Sequence, residues 1–255
     1  MTNLHFKIVI PMYNVEKWIT KNIQSIQAQE YKNFECIIID DLSTDNSVQM
    51  AQEATANDER FKVIVNVEKK YALQNIYEGI IMSDPKDEDV IVTVDGDDWL
   101  YGINVFDKLN SVYQQTGCYL TYGEFVRAEH LNAGILIPNG SAPFPPAVIE
   151  SNQFRDYTWL SSHLRTFKYG LWKRINKEDL LDEEGEFYLM TWDLAFMFPM
   201  LEMAAERIKF IPDILYVYNT DNPINDHKVN TPLQLALDRK IRQKKRYSRI
   251  NSLSS

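Results

Sequence analysis

The chain has 255 residues, of which 45% are hydrophobic and 25% charged, with a formal net charge of -9 and a pI near 5.0. This composition is typical of a globular protein and excludes an intrinsically disordered chain. The acidic charge argues against a nucleic-acid-binding protein, because such proteins carry a surplus of Lys and Arg on one face. The length allows one large α/β domain or two small ones.

Two cysteines, Cys36 and Cys118, lie far apart in the sequence, and neither belongs to a CxxC pair. This usage indicates a reducing compartment rather than a zinc site or a disulfide-stabilised secreted protein. The amino terminus leads straight into a strand-like segment, without the charged and apolar regions of a secretory signal. Because no apolar run approaches the ~20 residues of a membrane-spanning helix, we expect a cytoplasmic protein, soluble or peripherally membrane-associated.

Strand-like and helix-like segments alternate through the first hundred residues. The predicted strands are 7–10, 34–39, 61–67 and 90–94, and the predicted helices lie near 18–26, 47–56 and 72–82. This alternation predicts a mostly parallel central sheet flanked by helices. Ligands of such sheets bind at the carboxyl ends of the strands, and polar clusters follow Ile10, Ile39 and Val94 at those ends.

The second half of the chain is less regular. It predicts strands at 118–125 and 209–218, a loop at 138–146, and a helix at 193–205 that Pro199 either kinks or ends. Residues 159–172 are rich in aromatic and basic side chains, and residues 233–250 predict a basic amphipathic helix. Such a helix can bind an anionic membrane surface, although a solvated terminal helix is the more common case.

Three aspartates are packed into the segment Asp95-Gly-Asp-Asp98, directly after a predicted buried strand. Their mutual repulsion is relieved by a divalent cation, and carboxylate oxygens are the ligands that Mg²⁺ and Mn²⁺ prefer. Gly96 allows a sharp turn and a close approach of the backbone to a ligand. The alternative is a solvated acidic turn, since Asp and Gly are favoured turn residues.

Three segments occur in an order that resembles family 2 glycosyltransferases with the GT-A fold. They are Ile8-Val-Ile-Pro-Met-Tyr-Asn14, Ile37-Ile-Ile-Asp-Asp-Leu-Ser-Thr-Asp45 and Val92-Thr-Val-Asp-Gly-Asp-Asp98. The resemblance implies a nucleotide-diphospho-sugar transferase fold and an inverting transfer of a sugar to a glycan or other hydroxyl acceptor. It also implies a single domain over 1–230, with a nucleotide-sugar and metal half at 1–100 and an acceptor and catalytic-base half at 101–230. Residues 231–255 would form a basic helix or tail.

The resemblance assigns roles to the matching residues. Asp97 would be the main ligand of Mn²⁺ or Mg²⁺, aided by Asp95, and Asp41 would accept a hydrogen bond from the base. Uridine diphosphate is the implied carrier of the sugar. The residues placed around this nucleotide sugar are Pro11, Tyr13, Asn14, Asp41, Asp95 and Gly96. On the alternative interpretation Tyr13 packs at a strand end and Asp41 begins an Asx-turn.

The segment Thr191-Trp-Asp193 is similar to the Glu-Asp signature of the family, with Trp192 in place of the Glu. Asp193 would then be the general base that takes the proton of the acceptor hydroxyl. The alternative is that Asp193 only caps the helix that follows it.

The family's Ala-Arg-Asn segment is represented here by Ala72-Leu-Gln-Asn75, so the Arg that reaches the diphosphate is missing. His163, Arg165 and Lys168 are the candidates to replace its charge, and the alternative is that they lie on a solvated surface helix. Related enzymes often bring a His near the end of the domain to the metal. His227 is the candidate here, although an isolated loop His more often has no such role.

The aromatic cluster of Trp159, Phe167, Tyr169 and Trp172 is expected to be core for the most part, with one or two rings contacting the acceptor. Two other functions remain open. A nucleotidyltransferase would share the parallel sheet and the acidic metal site, but the first turn lacks the glycine-rich basic loop expected of one. A non-catalytic carbohydrate-binding or scaffolding module would keep the fold without the chemistry, and the retained Asp97 and Asp193 argue against it.

Overall fold

The computed structural model describes residues 3–223 and 230–253. Within these residues the chain forms one eight-stranded sheet of order β3-β2-β1-β4-β7-β6-β8-β5. The strands are β1 (Phe6–Met12), β2 (Phe34–Asp40), β3 (Phe61–Val65), β4 (Val90–Thr93), β5 (Trp99–Leu100), β6 (Leu120–Arg127), β7 (Thr166–Lys168) and β8 (Ile208–Tyr218).

Helices pack against this sheet. They are α1 (Ile19–Gln27), α2 (Ser47–Thr55), α3 (Tyr71–Met82), α4 (Val105–Thr116), α5 (Ala128–Asn132), α6 (Pro146–Ser151), α7 (Tyr169–Trp172), α8 (Trp192–Ala204) and α9 (Thr231–Gln243). Within the described ranges, no helix is both long enough and apolar enough to cross a membrane.

The four strands of the first half are parallel, as the alternating pattern predicts. β1 pairs with β2 on one side and β4 on the other, and β2 pairs with β3. Every residue of β1 is buried, because helices cover both faces of a sheet built from βαβ units. The carboxyl ends of β1, β2 and β4 therefore meet at one edge of the sheet.

The second half extends the sheet with mixed pairing. β7 runs antiparallel to both β4 and β6, whereas β6 and β8 are parallel. The short β5 pairs with β8, which ties the end of the acidic turn to the second half. The predicted strands at 118–125 and 209–218 correspond to β6 and β8. The helix α4 had no counterpart among the predicted elements.

Helix α8 is the centre of the larger hydrophobic core. All of its residues from Leu194 to Ala204 are buried, which fits a helix that is apolar on every side. The helix continues through Pro199, so this proline marks no boundary. The first turn of α8 carries Asp193, and its depth in the core fixes the position of that carboxylate.

The carboxyl-terminal segment folds back onto the domain. The prediction of a helix reaching residue 250 is wrong, because α9 ends at Gln243 and the following residues extend along α8. Ion pairs to acidic residues of the domain draw the basic side chains inward. These pairs are Lys240 with Glu183, Arg246 with Asp156, and Arg249 with Glu206. Much of the basic charge that suggested membrane contact is therefore neutralised within the chain.

Candidate functional site

A cavity of about 280 Å³ lies at the carboxyl ends of β1, β2 and β4, and residues of the second half of the chain also line it. Nine of the predicted site residues line it. They are Pro11, Tyr13, Asp41, Asp95, Gly96, Asp97, His163, Arg165 and Asp193. The fold thus brings together residues at the ends of three parallel strands, residues just before β7 and one in the first turn of α8, as expected for a ligand crevice of an α/β sheet.

The acidic turn is held by its backbone. Asn22 of α1 is fully buried, and its amide nitrogen donates to the carbonyl oxygens of Asp95 (2.9 Å) and Asp98 (2.8 Å). A Cβ on Gly96 would lie 2.9 Å from Cβ of Met12, so only glycine allows the turn to pack against the end of β1. These contacts fix the direction of the aspartates before any ligand binds.

The three aspartates have different surroundings. Asp97 lines the cavity, and its carboxylate accepts a hydrogen bond of 2.8 Å from the amide of Asn222. Asp98 is buried outside the cavity lining and accepts a hydrogen bond of 2.7 Å from the backbone of Asn219. Burial raises the pKa of both, and the charges of Asp97 and Asp95 raise that of Asp98 further. Asp98 therefore anchors the chain after β8, whereas Asp97 and Asp95 face the cavity.

Among the described residues, three side chains lie close enough together to hold a metal ion. Asp95, Asp98 and His163 place ligand atoms within 4.8 Å of one another. His163 stacks flat on Tyr216, with ring centroids 4.6 Å apart, and burial followed by the charge of Arg165 lowers its pKa well below the ordinary value. The predicted ligand His227 lies outside the described residues.

Asp41 is buried at the end of β2 and surrounded by donors. Its oxygens accept hydrogen bonds from the backbone nitrogens of Lys70 (2.7 Å) and Tyr71 (2.9 Å) and from the amide of Asn66 (3.1 Å). Burial by itself would raise the pKa of Asp41, but these bonds and the nearby Lys69 ammonium hold it below the ordinary value. Asp41 is thus an ionised acceptor that also fixes the start of α3.

Tyr13 and Asn14 follow β1 and have separate surroundings. The Tyr13 ring faces the cavity, and the Lys69 ammonium lies 2.8 Å from its centroid. Asn14 is outside the cavity lining. Its side-chain oxygen accepts from the backbone of Thr44 (2.8 Å), and its own backbone donates to Ser43 (2.9 Å). Asn14 therefore joins the loops after β1 and β2.

Asp193 and Arg165 line the same cavity from the second half of the chain. Asp193 lies in the first turn of α8, and its side chain keeps 22% of its surface exposed. A guanidinium nitrogen of Arg165 lies 3.7 Å from its carboxylate. Burial raises the pKa of Asp193, and the charge of Arg165 acts in the opposite direction. His163 and Arg165 are buried beside β7, so the alternative of a solvated surface helix is wrong.

Other predictions concerned the diphosphate and the acceptor. Asn75 is fully buried on α3 and accepts a hydrogen bond of 2.7 Å from Asn66, and both Ala72 and Asn75 line the cavity. The predicted aromatic cluster is mainly core, since Phe167 and Trp172 are buried and stacked 5.4 Å apart. Among the tryptophans, Trp192 lines the cavity.

Several residues of the site had no signal in the sequence. Asn22, Asn219 and Asn222 hold the acidic turn from positions far along the chain, and Gln234 of α9 reaches the cavity wall. Single asparagines and glutamines are common in turns and helices, so only the fold distinguishes these residues from the rest.

The sheet order, the acidic turn and the cavity define a glycosyltransferase with the GT-A fold. Residues 7–131 match the sequence model described as Glycosyl transferase family 2. This match contains all three ordered segments, and over residues 7–131 the prediction of a family 2 glycosyltransferase is confirmed.

Several glycosyltransferases of known sequence or structure are also similar to this chain. Glycosyltransferase GlyG of Streptococcus pneumoniae is 27% identical over 218 residues, which cover 83% of this chain and 69% of GlyG. The structure of S. aureus TarS 1-349 in complex with UDP-GlcNAc superposes with a TM-score of 0.62 at 16% identity, covering 89% of this chain and 61% of that one. A mannosyltransferase of Pyrobaculum calidifontis, in complex with GDP-Man and Mn²⁺, gives a TM-score of 0.55 at 15% identity, with 85% and 57% coverage.

Proposed function

We propose that this protein transfers a sugar from a nucleoside-diphosphate sugar to a hydroxyl group of a glycan or similar acceptor, with inversion at the anomeric carbon. The observation that carries the proposal is that one cavity is lined both by Asp95 and Asp97 of the acidic turn and by Asp193 of α8. Transfer needs a site for the departing diphosphate and a base for the attacking hydroxyl. These carboxylates would supply the two groups.

The residues of the acidic turn fit a divalent cation. Asp97 is aimed into the cavity by Asn222, and Asp95 lines the same wall. These carboxylate oxygens match the hard ligands that Mg²⁺ and Mn²⁺ require, and such ions commonly bridge one or two carboxylates to substrate phosphates. A bound cation would supply Lewis-acid stabilisation of the charge on the departing diphosphate. Asn222 and Asn22 hold the turn in place for it.

Asp193 is the general base of the proposed reaction. It accepts the proton of the acceptor hydroxyl while the oxygen of that hydroxyl bonds to the anomeric carbon, and the bond from this carbon to the diphosphate breaks. The nucleoside diphosphate departs with the bonding electrons. Base assistance of this kind is worth about 10²–10⁴-fold in rate. The pKa of Asp193 is raised by burial, which makes it a stronger base than an exposed aspartate.

Uridine diphosphate is the proposed carrier. The TarS structure contains UDP-GlcNAc, whereas the Pyrobaculum enzyme contains GDP-Man, so related folds accept either base. In this chain Asp41 is an ionised acceptor at the base end of the cavity, beside the Tyr13 ring. Uracil offers one ring N–H to such an acceptor, but guanine offers one as well, so the choice of uridine rests on the resemblance to family 2 glycosyltransferases.

A donor hydrolysis assay tests the function without knowledge of the acceptor. Purified protein is incubated with single UDP- and GDP-sugars and Mn²⁺, and release of the nucleoside diphosphate is measured with and without a chelator. We expect metal-dependent release from one class of donor, lost in Asp97→Ala and kept in Asp213→Asn, a control on an exposed carboxylate. Folded protein that releases nothing, or releases it equally in chelator, contradicts the proposal. Release of pyrophosphate from a nucleoside triphosphate would instead favour a nucleotidyltransferase.

A further inference from the structure

Arg165 is a buried cation whose surroundings are unusually restricted. Its side chain is 4% exposed and lies just before β7. The guanidinium carbon sits 5.4 Å from the centroid of the Trp192 ring, and one terminal nitrogen is 3.4 Å from Nδ1 of His163. The other terminal nitrogen lies 3.7 Å from Asp193. The group is therefore held between a ring, an imidazole and one carboxylate.

The charge of this guanidinium needs a partner, because an isolated buried ion is strongly destabilising. His163 does not supply the negative charge that balances this guanidinium. A guanidinium only donates hydrogen bonds, so Nδ1 of His163 accepts, and the imidazole is neutral. Asp193 is thus the carboxylate that balances Arg165. Trp192, the residue before Asp193 in α8, holds the guanidinium plane against the same turn of helix.

We propose that Arg165 is a positioning residue for the general base: it orients the Asp193 carboxylate toward the cavity and balances its charge. The proposal rests on the proposed function and deepens it. It differs from the role implied by resemblance, in which Arg165 replaces the missing Arg and contacts the diphosphate. In the structure one terminal nitrogen of Arg165 is directed to Asp193 and the other to His163.

The charged groups around Asp193 give the sign of the expected pH effect. Burial raises the pKa of Asp193, Arg165 lowers it, and Asp238 of α9 raises it by a smaller amount. A general base works when deprotonated, so the rate falls as the pH drops through this pKa. Removing the charge of Arg165 raises the pKa and moves the acidic limb of the rate profile to higher pH. A neighbouring positive charge typically lowers the pKa of a carboxyl group by about 1–3 units.

The test compares Arg165→Gln and Arg165→Lys with the wild-type chain in two substrate-independent measurements. The pKa of Asp193 is read from the carboxyl carbon resonance of ¹³C-aspartate-labelled protein, assigned by its loss in Asp193→Asn. UDP affinity with Mn²⁺ is measured by calorimetry. We expect Arg165→Gln to raise the pKa of Asp193 by about 1–3 units while UDP affinity stays within about threefold. Arg60→Gln, which breaks an ion pair on the far side of the sheet, is the control.

A tenfold loss of UDP affinity with an unchanged pKa of Asp193 would overturn the proposal in favour of the diphosphate contact. No change in either quantity would overturn it as well. If Arg165→Gln does not fold, Arg165→Lys decides: it keeps the charge but loses the planar fork, so the pKa should stay near wild type while donor hydrolysis slows. Unchanged hydrolysis would overturn the proposal. Failure of the proposed function is separate, because it would appear as full activity of Asp193→Asn.

Discussion

The two halves of the molecule place their site residues by different means. In the half predicted to bind the donor (residues 1–100, the donor half), Asp41 and Asp95 follow the buried parallel strands β2 and β4, and the strand ends bring them to one edge. In the half predicted to bind the acceptor (residues 101–230, the acceptor half), Arg165 and Asp193 come from less regular chain, and a guanidinium–carboxylate contact joins them. Backbone architecture places the site residues of the donor half, whereas a few buried polar pairs place those of the acceptor half.

One such pair supports α8 from its far end. Arg155 is 2% exposed and Glu202 is fully buried, and their side chains form two hydrogen bonds of 2.6 and 3.0 Å. Arg155 also donates to the carbonyl of Ile241, and Glu202 accepts from the backbone of Tyr247. A single ion pair therefore ties the helix that carries Asp193 to α9 and to the carboxyl-terminal segment. The acceptor half should be the more sensitive to single substitutions.

The largest effect is expected on the rate of sugar transfer, with no change in nucleotide affinity. Asp193→Asn removes the base but keeps the shape, so the transfer rate should fall about 10²–10⁴-fold while UDP affinity with Mn²⁺ is unchanged. Initial rates and calorimetry on the same preparation measure both quantities. Transfer at the wild-type rate would show that another residue is the base.

The next effect is on stability. Glu202→Gln leaves Arg155 buried without its counter-charge and should lower the free energy of unfolding by about 3–5 kcal/mol. Urea denaturation measures it. Asp87→Asn, which breaks the half-exposed pair with Lys173, is the control and should change stability by less than about 1 kcal/mol. If the two substitutions lowered the free energy of unfolding equally, the buried ion pair would not make the acceptor half more sensitive. Replacing Arg155 and Glu202 together with Met and Leu should recover part of the loss.

One contact from the acceptor half reaches the carboxylate of Asp97 in the acidic turn. Asn222 aims Asp97, so Asn222→Ala should weaken Mn²⁺ binding by about 10–100-fold, as for other residues that orient metal ligands. Titration of Mn²⁺ in the presence of UDP measures the affinity. Asn57→Ala, at an exposed position, is the control. An affinity equal to that of the control would show that Asp97 is not held for a metal.

The smallest effect lies in the donor half itself. Asn22→Ala removes two buried hydrogen bonds to the acidic turn and should cost about 1–3 kcal/mol in stability. The sheet still fixes the ends of β1 and β4, so Mn²⁺-dependent UDP binding should survive at low temperature. Complete loss of binding from folded protein would show that backbone architecture alone does not place the aspartates.

The contrast between the halves also explains what the sequence could predict. The strands β1 to β4 have local hydrophobic patterns, and Asp41 and Asp97 follow them directly, so their position is evident without a structure. The contacts of Arg165 and Asn222 join residues that are distant in sequence, and no local pattern reports them. Likewise, the chain leaves α9 after Gln243, and the backbone nitrogens of Tyr247 and Ile250 donate instead to Glu202 and Met203 of α8. Helical periodicity contains no information about those partners.

The most direct test of the central claim is a thermal-shift screen of the wild-type protein. UDP, GDP, ADP and CDP are each tested with Mn²⁺, Mg²⁺ or chelator, because a ligand that binds the folded state raises the melting temperature. The proposed site predicts that one nucleotide, UDP, stabilises the protein in the presence of a divalent cation and that chelator removes the effect. A folded protein that responds to no nucleotide under any of these conditions would contradict the assignment of the cavity as a nucleotide-sugar site.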